Sequence, residues 1–147
     1  MKKNTSIDDP LATATLGFAA NSAGDGVAYV ALCEADDRDE TVVRVTFRCR
    51  PLPALRGRDI AYAATEAVAA HVLRRGLRAV ALVFDDMSLL RDLADHAPVP
   101  APLTIPYVRL RCTLNRFDSV DLRAIGDQSS RDLGARARAE VALAVAA

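Results

Sequence analysis

Residues 41–50 carry the sharpest pattern in the chain. Val43, Val45, Phe47 and Cys49 alternate with Val42, Arg44, Thr46, Arg48 and Arg50. A period of two predicts a strand with the first set on the core face and the arginines on the other. Two more strand-like runs precede it, 13–20 and 27–34. Asn21-Ser22 and the turn chemistry of Ala23-Gly24-Asp25-Gly26 separate them. A charged stretch, 35–40, makes the next hairpin loop.

After Pro51 and Pro53 the period changes. Ile60, Ala64, Ala67, Val68, His71 and Val72 recur at helical spacing and predict a helix over 56–75. Arg74 and Arg75 suit the negative end of its dipole, and Gly76 stops it. Residues 77–84 are apolar on both faces, as in a central strand, with the long helix packed on it. Leu89, Leu90 and Leu93 stripe a short helix over 87–96. Pro98, Pro100, Pro102 and Pro106 predict a rigid, extended link. A fifth strand follows over 105–114, with Val108, Leu110 and Cys112 alternating with Arg109, Arg111 and Thr113. Residues 115–128 read as a polar loop carrying Asp118, Asp121 and Asp127. Ser129-Ser130 cap a last helix striped by Leu133, Ala137, Val141 and Val145.

The order is strand, strand, strand, helix, strand, helix, strand, helix. It predicts an α/β domain with a mixed five-stranded sheet, three antiparallel strands then two parallel, flanked by helices. With 147 residues, 51% of them hydrophobic, the chain suits one domain over 12–147 behind a loose leader, 1–11. The 19 basic and 19 acidic residues cancel. That excludes an overall basic nucleic-acid footprint and leaves room for a local patch. Lysine occurs only at Lys2 and Lys3; arginine and alanine dominate elsewhere, a composition of G+C-rich bacterial coding.

Cys33, Cys49 and Cys112 have no metal-type spacing and read as buried thiols in a reducing compartment. The start lacks a signal-type apolar core, and no run approaches the roughly 20 residues that span a bilayer. The expectation is a cytoplasmic protein without membrane contact. Of the two histidines, His71 reads as a packing residue, and His96 has no recognisable partner. Phosphate loops with lysine, Cys/His clusters and nucleophile elbows are absent from the sequence.

The centre of the chain resembles ribonuclease H type 1. The residues that carry the likeness are Ile60-Ala61-Tyr62-Ala63-Ala64-Thr65, then Gly76-Leu77-Arg78, then Asp85-Asp86-Met87-Ser88-Leu89, in matching order and spacing. The element order agrees from about Leu16 to Ala139. That family holds two magnesium ions with carboxylates from the first strand, the first helix, the fourth strand and the last helix, because hard cations need oxygen ligands.

The resemblance implies that Asp85 matches the fourth-strand aspartate and Asp132 the last-helix one. The first-strand acid falls at Ala19 or Ala20, and the helix glutamate at Ala61. Asp59 lies two residues, about 200°, from Ala61 around a helix and points away; Glu66 is more than a turn beyond it. Asp25 and Asp86 are the remaining acids near the pattern. Asp85 itself has two readings, a site position or a helix N-cap.

Three functions follow. The first is an incomplete site that binds an RNA–DNA hybrid or RNA through Arg44, Arg48, Arg109 and Arg111, with little or no catalysis and no cofactor beyond weak Mg2+ or Mn2+. The second is an active metal-dependent nuclease using Asp85, Asp132 and unconventional acids. The third is a protein-interaction or dimerisation module that keeps only the fold.

Overall fold

A computed structural model of the chain describes residues 12–34, 40–95, 98–124 and 128–146. The leader, most of the 35–40 loop, His96 and Asp127 lie outside them. Five strands form one sheet: β1 (Ala12–Ala20), β2 (Asp25–Cys33), β3 (Thr41–Arg48), β4 (Ala79–Phe84) and β5 (Ser119–Ala124). Their order is β3-β2-β1-β4-β5. β1 and β2 are antiparallel, as are β2 and β3, while β4 runs parallel to both β1 and β5. Four helices flank it: α1 (Arg58–Arg74), α2 (Met87–Asp95), α3 (Thr104–Leu114) and α4 (Gln128–Ala146). The α/β class and the mixed sheet agree with the sequence reading.

Alternation along β1 divides the core. Ala12, Ala14 and Leu16 join the main cluster, where Tyr62, Val68 and Val72 of α1 pack with Leu82 and Phe84 of β4. The opposite face, with Val27, Tyr29 and Ala31, receives Leu133 and Ala137 of α4. Gly17 makes that second contact close. A Cβ there would stand 2.1 Å from the backbone nitrogen of Gly134. The missing side chain at Gly17 lets α4 cross β1 at this depth.

Several expectations need correction. The predicted fifth strand over 105–114 is helix α3. Its buried residues, Leu110, Thr113 and Leu114, with Leu103 just before it, recur at helical spacing. The alternation of Val108 with Arg109 was a coincidence over a window too short to separate the two periods. Pro106 falls in the first turn, where its missing N–H costs no hydrogen bond. The proline link is likewise interrupted by a short 3₁₀ turn, Ala101–Leu103.

The true fifth strand lies inside the predicted loop. In β5, Val120, Leu122 and Ala124 pack on the core, while Asp121 and Arg123 pair across 2.8 Å on the other face. As an edge strand it carries charge and is short, which hid it among polar residues.

A further correction concerns packing. β4 is interior, as expected, but the middle strand is β1, and α1 lies mainly over β1, β2 and β3. Nor are the cysteines fully buried: Cys33 and Cys49 are half-buried, and Cys112 is exposed on α3. His71 sits part-buried on α1, its pKa lowered by burial first and by Arg74 and Arg75 next.

Candidate nucleic-acid interface

β1, β3 and β4 run in the same direction, so their C-terminal ends share one end of the sheet. The chain enters α1 from β3 and α2 from β4 at that end. Helix N-termini carry partial positive charge and unsatisfied N–H groups. The connection from β3 to α1 adds Arg48, Arg50, Arg56 and Arg58 within eleven residues.

The arginines differ in how they are held. Arg48 pairs with Asp25 across 3.0 Å. Arg58 reaches Asp92 of α2 at 2.6 Å. Arg50 and Arg56 are exposed, and among the described residues neither makes an ion pair. Arg56 takes a left-handed backbone, φ 52°, and caps the turn Pro53–Leu55 by donating its N–H to Pro53. That conformation costs a non-glycine residue about 1 kcal/mol.

The acids sort in the same way. Asp85 directly follows β4 and is exposed; among the described residues its carboxylate accepts no hydrogen bond. The N-cap role belongs to Asp86, whose Oδ1 accepts the Leu89 N–H at 3.0 Å. Asp59 is buried and accepts the Leu52 N–H at 2.9 Å, which ties the linker to α1. Asp132 is exposed on α4 and accepts from Gln128 at 2.8 Å. Glu66 lies part-buried farther along α1.

The positions read as missing acids are apolar in space as well. Ala61 is 1% exposed and belongs to the same cluster as Phe84, the residue before Asp85; Ala20 packs on that cluster, and Ala19 on the other face. The β1–β4 register runs from Ala12 opposite Val80 to Thr15 opposite Val83. Carried two residues further, it sets Gly17 across from Asp85, with Ala19 and Ala20 roughly 7–10 Å further along the strand. No group of three potential metal ligands occurs among the described residues.

The other named arginines sit elsewhere. Arg44 is held by Glu140 of α4, with its Nε 2.9 Å from Oε2; Glu140 also accepts the Tyr29 hydroxyl. These bonds, Arg44 first, lower the Glu140 pKa to about 2. Arg136 lies over the Tyr29 ring, 4.2 Å from its centre. Arg111 is on α3, donating to the Tyr107 hydroxyl at 3.1 Å and to the Leu93 carbonyl. Arg109 is exposed on the same helix.

Sequence reasoning missed Asp92. It is 6% exposed and receives Arg58 and, at 2.8 Å, the Tyr62 hydroxyl. Burial, then this bond, holds the Tyr62 phenol far above its usual range. Arg58 and Tyr62 at i and i+4 on one helix face were the available signal.

Solved structures share the fold. The N-terminal ribonuclease H domain of a Mycobacterium tuberculosis protein superposes with TM-score 0.64 at 12% identity, over 92% of this chain and 99% of its own. Ribonuclease H1 of the halophilic archaeon Halobacterium salinarum gives 0.63 at 15% identity, over 88% and 96%. LC11-RNase H1, a protein from compost metagenomics, was solved with an RNA/DNA hybrid; it gives 0.61 at 10% identity, over 91% and 99%. No family model matches the sequence, and no curated protein does. The chain has the ribonuclease H-like fold. Among the described residues no helix is long and apolar enough to cross a membrane.

Proposed function

We propose that this domain binds nucleic acid, an RNA–DNA hybrid or RNA, at the end of the sheet where β1 and β4 finish, and cleaves it little or not at all. The observation that carries this reading is the make-up of that end. Helix N-termini and the exposed guanidiniums of Arg50 and Arg56 favour phosphate. Beside them β1 has no ionisable side chain from Ala12 to Ala20, and the inner face of α1 offers Ala61, Ala64, Thr65 and Val68.

A pair of magnesium ions does not fit this donor set. Hard cations need several carboxylate oxygens converging on one point. Among the described residues no three potential ligands converge, and Asp86 is engaged as a cap. Arg44 and Arg48 already face Glu140 and Asp25, so their part in binding is the smaller one.

The test is fluorescence anisotropy with a labelled RNA–DNA hybrid, followed by gel analysis with Mg2+ or Mn2+. Binding falls steeply as salt rises. Arg56→Gly weakens it several-fold while relieving backbone strain, so stability holds or rises by up to about 1 kcal/mol. No binding at low salt would overturn the proposal in favour of a protein-interaction module. Metal-dependent cleavage lost in Asp85→Asn would overturn the lack of catalysis.

A further inference from the structure

A groove of about 770 Å³ opens between the end of β3, the outer face of α1 and the start of α3. Its size is that of a ligand-binding cleft. Phe47, Tyr62, Ala63 and Ala67 form the floor, and Leu52, Ile105 and Pro106 the walls. The apolar surface continues outward along α3. Ile105 is 68% exposed and Val108, three residues on, 51%; Leu52 on the opposite wall is 37% exposed. Two large aliphatic side chains, Leu52 and Ile105, face water across the cleft, with Val108 one turn further along α3, and mark an interaction site more than a solvated surface.

The charges give the sign of the occupant. Arg48, Arg50 and Arg109 line the groove, with Asp59 and Glu66 as its acids. Asp59 is buried and occupied by the Leu52 N–H. Arg48 faces Asp25. That leaves Arg50 and Arg109, neither with an ion pair among the described residues, against the single carboxylate of Glu66.

The chemistry of the walls separates the two anionic partners. A single nucleic-acid strand binds by stacking bases on exposed aromatic faces. Here the two aromatic rings are floor residues, Phe47 at 8% and Tyr62 at 1% exposure, and offer no open face. The accessible apolar atoms are aliphatic, which suits the Leu, Ile or Val anchors of a peptide.

We infer that this groove docks an acidic protein segment with aliphatic anchors, its apolar side chains seated between Leu52 and Ile105 and its carboxylates on Arg50 and Arg109. The groove shares Arg50 with the proposed phosphate site but not Arg56, so substitutions at Ile105 and at Arg56 test the two readings apart. An interface this small binds transiently.

The test is NMR titration of the 15N-labelled protein with three probes. They are an amphipathic Leu/Glu peptide of fourteen or so residues, the same peptide with Lys for Glu, and an oligothymidylate. The acidic peptide shifts amide signals of residues 46–52, 62–67 and 105–109, and the Lys peptide does not. The double variant Ile105→Asp, Arg109→Glu loses binding at least tenfold. Both positions are exposed, and an aspartate in the first turn of α3 favours its dipole, so circular dichroism stays as in the parent. No shifts with the acidic peptide, or shifts that persist in the double variant, overturn the inference. Oligothymidylate shifting the same signals assigns the groove to nucleic acid and overturns it equally.

Discussion

Removing the Asp92 carboxylate should destabilise the domain by about 3 kcal/mol. Asp92 is 6% exposed and joins α2 to α1 by accepting from Arg58 at 2.6 Å and from the Tyr62 hydroxyl at 2.8 Å. In Asp92→Ala the Tyr62 hydroxyl, on a residue 1% exposed, keeps its desolvation cost without its acceptor. A stranded buried hydroxyl costs about 1–3 kcal/mol. Arg58 loses its counter-charge as well. Breaking one side of a fully buried ion pair costs about 3–5 kcal/mol, but the Arg58 side chain is 32% exposed, and water takes over part of that loss.

The two costs overlap, so about 3 kcal/mol is the total, or roughly 10 °C in Tm for a domain of this size. Urea unfolding followed by circular dichroism measures it as a lower midpoint at constant slope. Asp92→Asn, which keeps an acceptor, should lose about half as much. In the cycle with Tyr62→Phe the two losses should overlap by about 1–2 kcal/mol. A loss under about 1 kcal/mol in Asp92→Ala, or strict additivity with Tyr62→Phe, would refute the view that this cluster holds α2, and with it the turn at Asp85, in place.

Gly17→Ala meets the backbone of Gly134 at 2.1 Å, which no side-chain rotation relieves, and should cost about 3 kcal/mol or prevent soluble expression. Asp86→Ala should cost about 1 kcal/mol through loss of the α2 cap, whereas Asp85→Ala should stay within about 0.5 kcal/mol; both read out by thermal melting. The Glu140 pKa falls from 4.5 unfolded to about 2 folded, so its contribution is complete above 4.5 and is lost as pH falls toward 2. Acid unfolding of Glu140→Gln should therefore be flatter than that of the parent in this window, and an identical pH profile would contradict the Arg44–Glu140–Tyr29 link.

Much of the fold was legible along the chain. The alternation in 41–50, the helical stripe from Ile60 to Val72 and the doubly apolar run before Asp85 each combine a clear period with a length that excludes the other structure. Their order carried the ribonuclease H resemblance, whose fold the solved structures share; that resemblance also set Ala61 and an acid-free first strand at positions where the family carries carboxylates. Where signals were short, local pattern failed. Residues 105–114 satisfy both periods, and only the space left beside α1 selected a helix with Leu110 and Leu114 inward. β5 looks like a loop because an edge strand buries one face and needs charge on the other.

The charges were decided by tertiary structure alone. That Glu140, almost a hundred residues away, stands beside Arg44, and Asp25 beside Arg48, is visible only in the folded chain. Asp92 became a buried anchor because α2 folds back onto α1. An ion pair depends on distances of a few ångströms between elements, and the periodicity of a sequence records which face a residue takes but not which distant side chain will meet it there.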